Sequence, residues 1–207
     1  MATFLFAWNP KLWNWPDLPA DRRKLARKGF VDFQWACGRS RQIEPGSRAF
    51  MVRLGVPPKG IIGAGVTLTP PVSGPHWRAD KIALGIPTMH LDIRWEALFE
   101  TPLISFDELA VPPFSRFRWA TRASGMRIPT HVADALEDLW EKKLAALASA
   151  APAVRKAGTV TPAAEKTRSK ESGSKKVRAA EAAPRQAWTV EVTPKQPRAK
   201  PATRRRG

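Results

Sequence analysis

The chain has 207 residues, with 35 Lys+Arg against 18 Asp+Glu, nine Trp, nine Phe, no Tyr and one Cys. A single cysteine excludes an internal disulfide and a cysteine-based zinc site, and no stretch reaches the ~18 apolar residues of a membrane span. The excess of positive charge points to a polyanion as partner.

The opening MATFLFAW is too short for a signal-peptide core and has no basic residue ahead of it, so the chain reads as cytoplasmic. Residues 3–8 form a compact apolar run stopped by Asn9-Pro10, the pattern of a buried strand. Trp8, Trp13 and Trp15 crowd the end of that run and the turn after it. Residues 17–21 read as a turn, with Asp21 capping a short, very basic helix over 22–28 that ends at Gly29. Pro45-Gly46 is a tight turn into a strand at 49–54, and 56–60 is a hairpin-like loop. A second strand covers 60–69, where glycines permit close backbone approach. Residues 89–95 alternate and give a third strand, and 102–106 a short extended piece. Thr130 is placed to cap a helix over 131–148, whose Val132, Leu136, Leu139, Trp140, Leu144 and Leu147 recur at helical spacing.

Short strands between loops, with a basic helix early and a capping helix late, predict an α+β domain: a small barrel or strongly curved sheet flanked by helices. That domain covers residues 1–148. Residues 149–207 hold one aromatic, Trp188, and are rich in Ala, Pro, Lys and Arg. Their apolar content does not offset the entropy of ordering, which predicts a disordered tail. Residues 150–207 carry 15 basic and 4 acidic residues, a net of +11.

No catalytic constellation is visible, and the reading is a binding protein without metal or cofactor. His76, His90 and His131 have no second ligand at metal spacing. Gly63-Ala64-Gly65 is flanked by strand residues rather than by a strand-to-helix turn, and Cys37 reads as a small buried thiol. A groove for an extruded base needs flat aromatic walls, a few groups for the base edge, and cations for the phosphates. Trp13, Trp15, Trp35 and Trp77 fall in predicted loops beside strand ends, and Asn9 is available for a base edge. Arg39, Arg41 and Lys59 sit in loops that can face phosphate, as do Arg22, Arg23 and Lys24 on the basic helix and Arg204, Arg205 and Arg206 in the tail. Trp8, Trp95 and Trp140, on periodic elements, read as core.

The segments FLFAWNPKLWNW, WACGRSRQIEPGSRAFMVRLG and KGIIGAGV, in this order, resemble the EVE domain of the PUA-like superfamily. The likeness runs over residues 3–145 and is greatest to the EVE domains at the N-terminus of bacterial modification-dependent HNH endonucleases. It implies a PUA-like barrel with a pocket for a flipped, modified base such as 5-methyl- or 5-hydroxymethylcytosine, in DNA rather than RNA. It carries base contact onto Trp13, Trp15, Trp35 and Trp77, with Asn9, Arg39 and Arg41 following. Two departures stand out. Ser47 precedes Arg48 where that group has Asp, and the residues after 148 contain no His or Cys for an HNH metal site, so cleavage would need a separate nuclease. The competing reading is an adaptor or an RNA-modification reader whose basic tail recruits a partner without base flipping.

Overall fold

The computed structural model describes residues 1–150. The predicted tail lies outside the described residues beyond Ala150, and with it Arg204, Arg205 and Arg206. The strands are β1 (Thr3–Trp8), β2 (Val31–Gly38), β3 (Arg48–Arg53), β4 (Gly60–Thr67), β5 (Val72–Pro75), β6 (Pro87–Leu98), β7 (Ile104–Ser105) and β8 (Met126–Ile128). The helices are α1 (Leu18–Lys28), α2 (Ala79–Ala83) and α3 (Thr130–Ala150), with a single 3-10 turn at Glu108–Ala110.

The strands form one mixed sheet in the order β2-β6-β4-β3-β1-β8, with β5 added to β6 and β7 to β4. β1 runs parallel to β3 and antiparallel to β8. It is central and covered on both faces, which is why its sequence is an unbroken apolar run rather than an alternating one. Phe4, Phe6 and Trp8 enter one core with Trp35, Leu91, Ile93 and Trp95. Leu5 enters a second core, where Phe50, Ile61 and Ile104 meet Val132, Leu136 and Trp140 of α3.

Strong curvature follows from one contact. β1 and β6 are separated by β3 and β4, so their backbones would stand about 14 Å apart in a flat sheet. Yet the Phe6 and Trp95 rings meet edge to face at 6.4 Å. The sheet is therefore curled around its inner core, as expected for an α+β curved barrel. Among the described residues the end strands β2 and β8 share no ladder. Their ends are strapped instead by Ser40 Oγ, which donates to the Gly125 carbonyl at 2.6 Å, and the Ala7 amide of β1 donates to Ser124 Oγ at 3.3 Å beside it. Arg48 ties α3 to the sheet, with Glu137 at 2.6 Å and Glu96 at 2.9 Å.

Several elements differ from expectation. The basic helix begins at Leu18, with Pro19 in its first turn, and Asp21 lies inside it as a buried residue rather than as its cap. Gly29 does close it, in the left-handed conformation at φ 78°. Residues 31–38 are a strand, with Val31, Trp35 and Cys37 turned inward. β6 is longer than its alternating centre: its first residues pair with β5 and its last with β4. Leu147, counted on the packed face of the last helix, is exposed.

β4 leaves no room for a side chain at Gly65, where a Cβ would overlap the Arg94 carbonyl oxygen of β6. Gly65→Ala is expected to lower stability by about 3 kcal/mol by forcing the two strands apart. Gly46, at φ 81° with open space around its missing Cβ, serves as the comparison. Gly46→Ala should cost only the ~1–2 kcal/mol of the left-handed conformation. Urea unfolding of both variants checks the difference.

Candidate nucleic-acid interface

The turn after β1 builds an aromatic nest. The Asn9 carbonyl accepts from the Leu12 and Trp13 amides, and Asn9 Oδ1 from the Lys11 amide at 3.0 Å. This folds the chain back so that Trp13 and Trp15 lie against the inner side of β2. The Trp15 indole contacts Trp8 at 5.6 Å, Trp13 at 5.7 Å, Phe33 at 5.1 Å and Trp35 at 5.0 Å between ring centroids. Its N–H donates to Asp21 Oδ2 at 3.4 Å. Trp8 Nε1 donates to the Trp13 carbonyl at 3.0 Å, which fixes the outer turn on the end of β1.

Exposure divides these rings. Trp15 and Trp35 are 6% and 9% exposed, whereas Trp13 is 41% exposed. Trp13 stacks on Trp15 with 26° between planes and meets Trp35 at 5.5 Å. Those separations are ordinary ring-to-ring contacts and leave no slot for a third ring. The expectation that Trp13, Trp15 and Trp35 are loop walls of an open pocket is therefore corrected. Trp35 belongs to strand β2, Trp15 and Trp35 are core, and Trp13 is the one indole of the three presented outward. Trp77 is not part of the nest; it is 43% exposed after β5 and its ring contact is with His76.

The other candidates sort by what already holds them. The Asn9 side chain is taken up in its own turn and lies against Gly55. Arg22 is paired with Glu100 at 2.6 Å and Lys24 with Asp21 at 3.2 Å. Arg23, Arg39, Arg41 and Lys59 are exposed and make no ion pair among the described residues. Arg53 joins the nest from β3: its guanidinium lies 5.6 Å from the Trp8 ring, and its buried Nε has no acceptor among the described residues.

Sequence reasoning missed a further basic stretch. Arg116, Arg118, Arg122 and Arg127 are exposed and make no ion pair among the described residues. The signal was present, since no acidic residue occurs between Glu108 and Asp134.

Acid–base chemistry finds little here. Among the described residues no three of His, Cys, Asp and Glu gather where they could hold a metal ion. Burial holds His76 and His90 below the usual imidazole range, with Arg78 adding to the effect at His76 and His76 to that at His90. Burial pushes the Cys37 thiol up to about 11, so it is a poor nucleophile. No helix among the described residues is long and apolar enough to cross a membrane.

No protein-family model matches the chain, and no curated protein does. Solved structures do. A Pseudomonas syringae protein from a structural-genomics programme aligns at 20% identity and a TM-score of 0.47, over 67% of this chain and 99% of its own. A hypothetical protein from Leishmania major aligns at 14% and 0.45, over 69% and 97%. Human THYN1 protein, solved in complex with 5-methylcytosine-containing DNA, aligns at 15% and 0.44, over 67% and 97%. At such identities nothing about this chain's own ligand follows from theirs.

The exposure split predicts unequal mutants. Trp15→Ala should cost about 3–5 kcal/mol, the range for emptying a core aromatic, and Trp13→Ala less than half of that, as read by denaturant unfolding. Equal costs would make Trp13 an ordinary core residue.

Cys37 gives a pH signature. A thiol raised in the native state keeps its proton where the unfolded thiol, ordinarily near 8.5, has lost it. The unfolded state then binds fewer protons, so stability falls as pH rises from about 9 to about 11. The chain has no tyrosine to mask this. Cys37→Ala should flatten that part of the stability–pH curve, measured by thermal unfolding.

Proposed function

We propose that this domain is a nucleic-acid-binding module that reads a modified base, with 5-methyl- or 5-hydroxymethylcytosine in DNA as the target. The observation that carries the reading is Trp13, a half-exposed indole backed by two buried ones and held by its turn. A platform of this kind suits the face of a base taken out of its stack, and every base has such a face. Lys11 in the same turn and Arg53 over Trp8 add positive charge beside it. The resemblance to EVE domains supplies the target class.

Magnitudes constrain the mechanism. Stacking on one aromatic contributes ~1–3 kcal/mol per base, whereas unstacking and unpairing a base costs a few kcal/mol. Trp13 alone does not offset that cost, so phosphate contacts must supply the remainder and binding must be salt-sensitive. Discrimination is similarly bounded. One methyl group buried against Trp13 or its exposed neighbour Leu12 is worth about 0.8 kcal/mol, or about fourfold in affinity.

A second reading has an observation of its own. Val72, Trp77, Ile82, Leu84 and Ile86, all exposed, lie in one short arm around β5 and α2. Apolar surface of that kind suits a protein partner, as an adaptor would need. A nuclease supplied in trans is the partner class that the resemblance implies.

The test is binding of the full chain to duplexes that differ at one cytosine (plain, 5-methyl or 5-hydroxymethyl), over a range of salt so that non-specific affinity is titrated out. The expected result is about fourfold or greater preference for one modified duplex, abolished in a folded Trp13→Ala variant. Equal affinity for all three at every salt concentration would overturn the reading in favour of the adaptor.

A further inference from the structure

The strap that holds the sheet's two ends together also gathers its unpaired arginines. Ser40 Oγ donates to the Gly125 carbonyl at 2.6 Å, and a Cβ on Gly38 would sit 3.4 Å from the Ser124 carbonyl oxygen. Arg39 and Arg41 flank Ser40. Arg122 and Arg127 lie within three residues of Gly125. All four are exposed, and none has a carboxylate partner among the described residues. Of the other arginines, Arg22, Arg48, Arg78 and Arg94 each hold an Asp or Glu at 2.6–2.9 Å, while Arg23, Arg116 and Arg118 are also exposed without an ion pair among the described residues. What sets the seam apart is that it joins two segments distant in sequence. The 2.6 Å hydrogen bond thus brings together two segments that each carry two exposed arginines without a carboxylate partner among the described residues, a concentration of like charge that favours an anion.

A recess opens beside Arg127 and the residue that follows Arg41. A cavity of about 450 Å³ is lined by Arg127 of β8, by Gln42, Glu44 and Ser47 of the loop from β2 to β3, and by Ala2 and Phe4. Its loop wall is fixed, because Thr67 Oγ1 donates to the Glu44 carbonyl at 2.7 Å and accepts from the Ser47 amide at 3.0 Å. Glu44 makes the recess itself unfavourable for an anion. An anionic group would therefore be better placed on the rim, by Arg127, than inside the recess.

We infer that this seam is a phosphate clamp for a nucleic-acid strand, with Arg39, Arg41, Arg122 and Arg127 on successive backbone phosphates. Guanidinium groups suit this task because their planar forks bind phosphate oxygens in pairs. The clamp is also within reach of the aromatic nest: Arg39 is four residues beyond Trp35 along the chain, just past the end of β2, which puts their backbones at most about 13 Å apart. A strand seated on the seam thus passes near Trp13 and supplies the phosphate energy that flipping requires. This inference rests on the nucleic-acid reading above, but it fails separately from it.

The test uses the full chain carrying Arg39→Gln, Arg122→Gln and Arg127→Gln, with a charge-matched control carrying Arg27→Gln, Lys28→Gln and Lys142→Gln. The salt dependence of duplex binding is the readout. Removing one arginine–phosphate pairing reduces the slope of log affinity against log salt by about 0.9. For the seam variant the slope should therefore fall by about 2.7, with binding about tenfold or more weaker at low salt, while the control stays within about one unit of the wild type. All six residues are exposed, so both variants should stay folded. The seam variant should unfold at or slightly above the wild-type temperature as like-charge repulsion is relieved, and the control slightly below it because Arg27 and Lys28 close the last turn of α1. An equal drop in the two variants, or none in the seam variant, overturns the clamp. Base preference is scored in the same titrations. A reduced slope without any preference keeps the clamp and refutes the modified-base reading; preference with an unchanged slope does the reverse.

Discussion

The indole of Trp15 is the contact on which the rest of the domain depends. Within 6 Å it meets rings from the end of β1, from its own turn and from β2, and its N–H reaches α1 through Asp21. β1 and β2 do not pair with each other in the sheet, yet both are held here, together with the turn and the helix that lie between them in the chain. With Trp15 buried, the sheet must curl around the inner core; with the sheet curled, β1 and β6 touch across two intervening strands. The outer turn can then present Trp13 as a rigid surface. Aromatic rings are suited to this because two χ angles order a large contact area at low entropic cost.

A barrel plugged by its own aromatics has a consequence for function. The interior is filled by Phe6, Trp15, Trp35 and Trp95, so a ligand is met on the surface or in a recess at the rim. Stacking on a single exposed indole is worth less than the cost of extruding a base. In the proposed reading the deficit falls on electrostatics, for which exposed cations are available near the strap between the sheet's ends and in the turn that carries Trp13. Two weak elements, a stacking platform and a row of arginines, would act together. Such a division makes affinity salt-dependent and leaves base discrimination to a small apolar contact.

Most of the fold can be read from local signals in the chain. The apolar run of β1, the Pro45-Gly46 turn, the paired strands around 56–60 and the last helix all carry such signals, and the fold respects them. The start of α1 is hidden because Pro19 and Asp21 both resemble turn residues, whereas Pro is at home in a helix's first turn. β2 alternates correctly at Val31, Phe33, Trp35 and Cys37, but the Cys-Gly-Arg that follows makes the whole stretch look like a loop. β5, with the sequence Val-Ser-Gly-Pro, has no strand signal of its own and exists because β6 extends far enough to pair with it. At the candidate site the residue types are recognisable but not their burial. Nothing local separates Trp13 from Trp15, two positions apart, because the difference arises from strands distant in sequence. The seam arginines escape notice for the same reason: only folding brings residues 39–41 beside 122–127.

In the reading proposed above, the exposed indole of the nest meets the ligand while its buried neighbours hold the fold. The most direct measurement of that division follows the side-chain indole N–H resonances of the ¹⁵N-labelled full chain during titration with a duplex bearing one 5-methylcytosine. A large change is expected at Trp13, smaller ones at Trp8 and Trp15, and none at Trp140 in the outer core. Saturable binding that leaves the Trp13 resonance unmoved would contradict the division of labour between these rings.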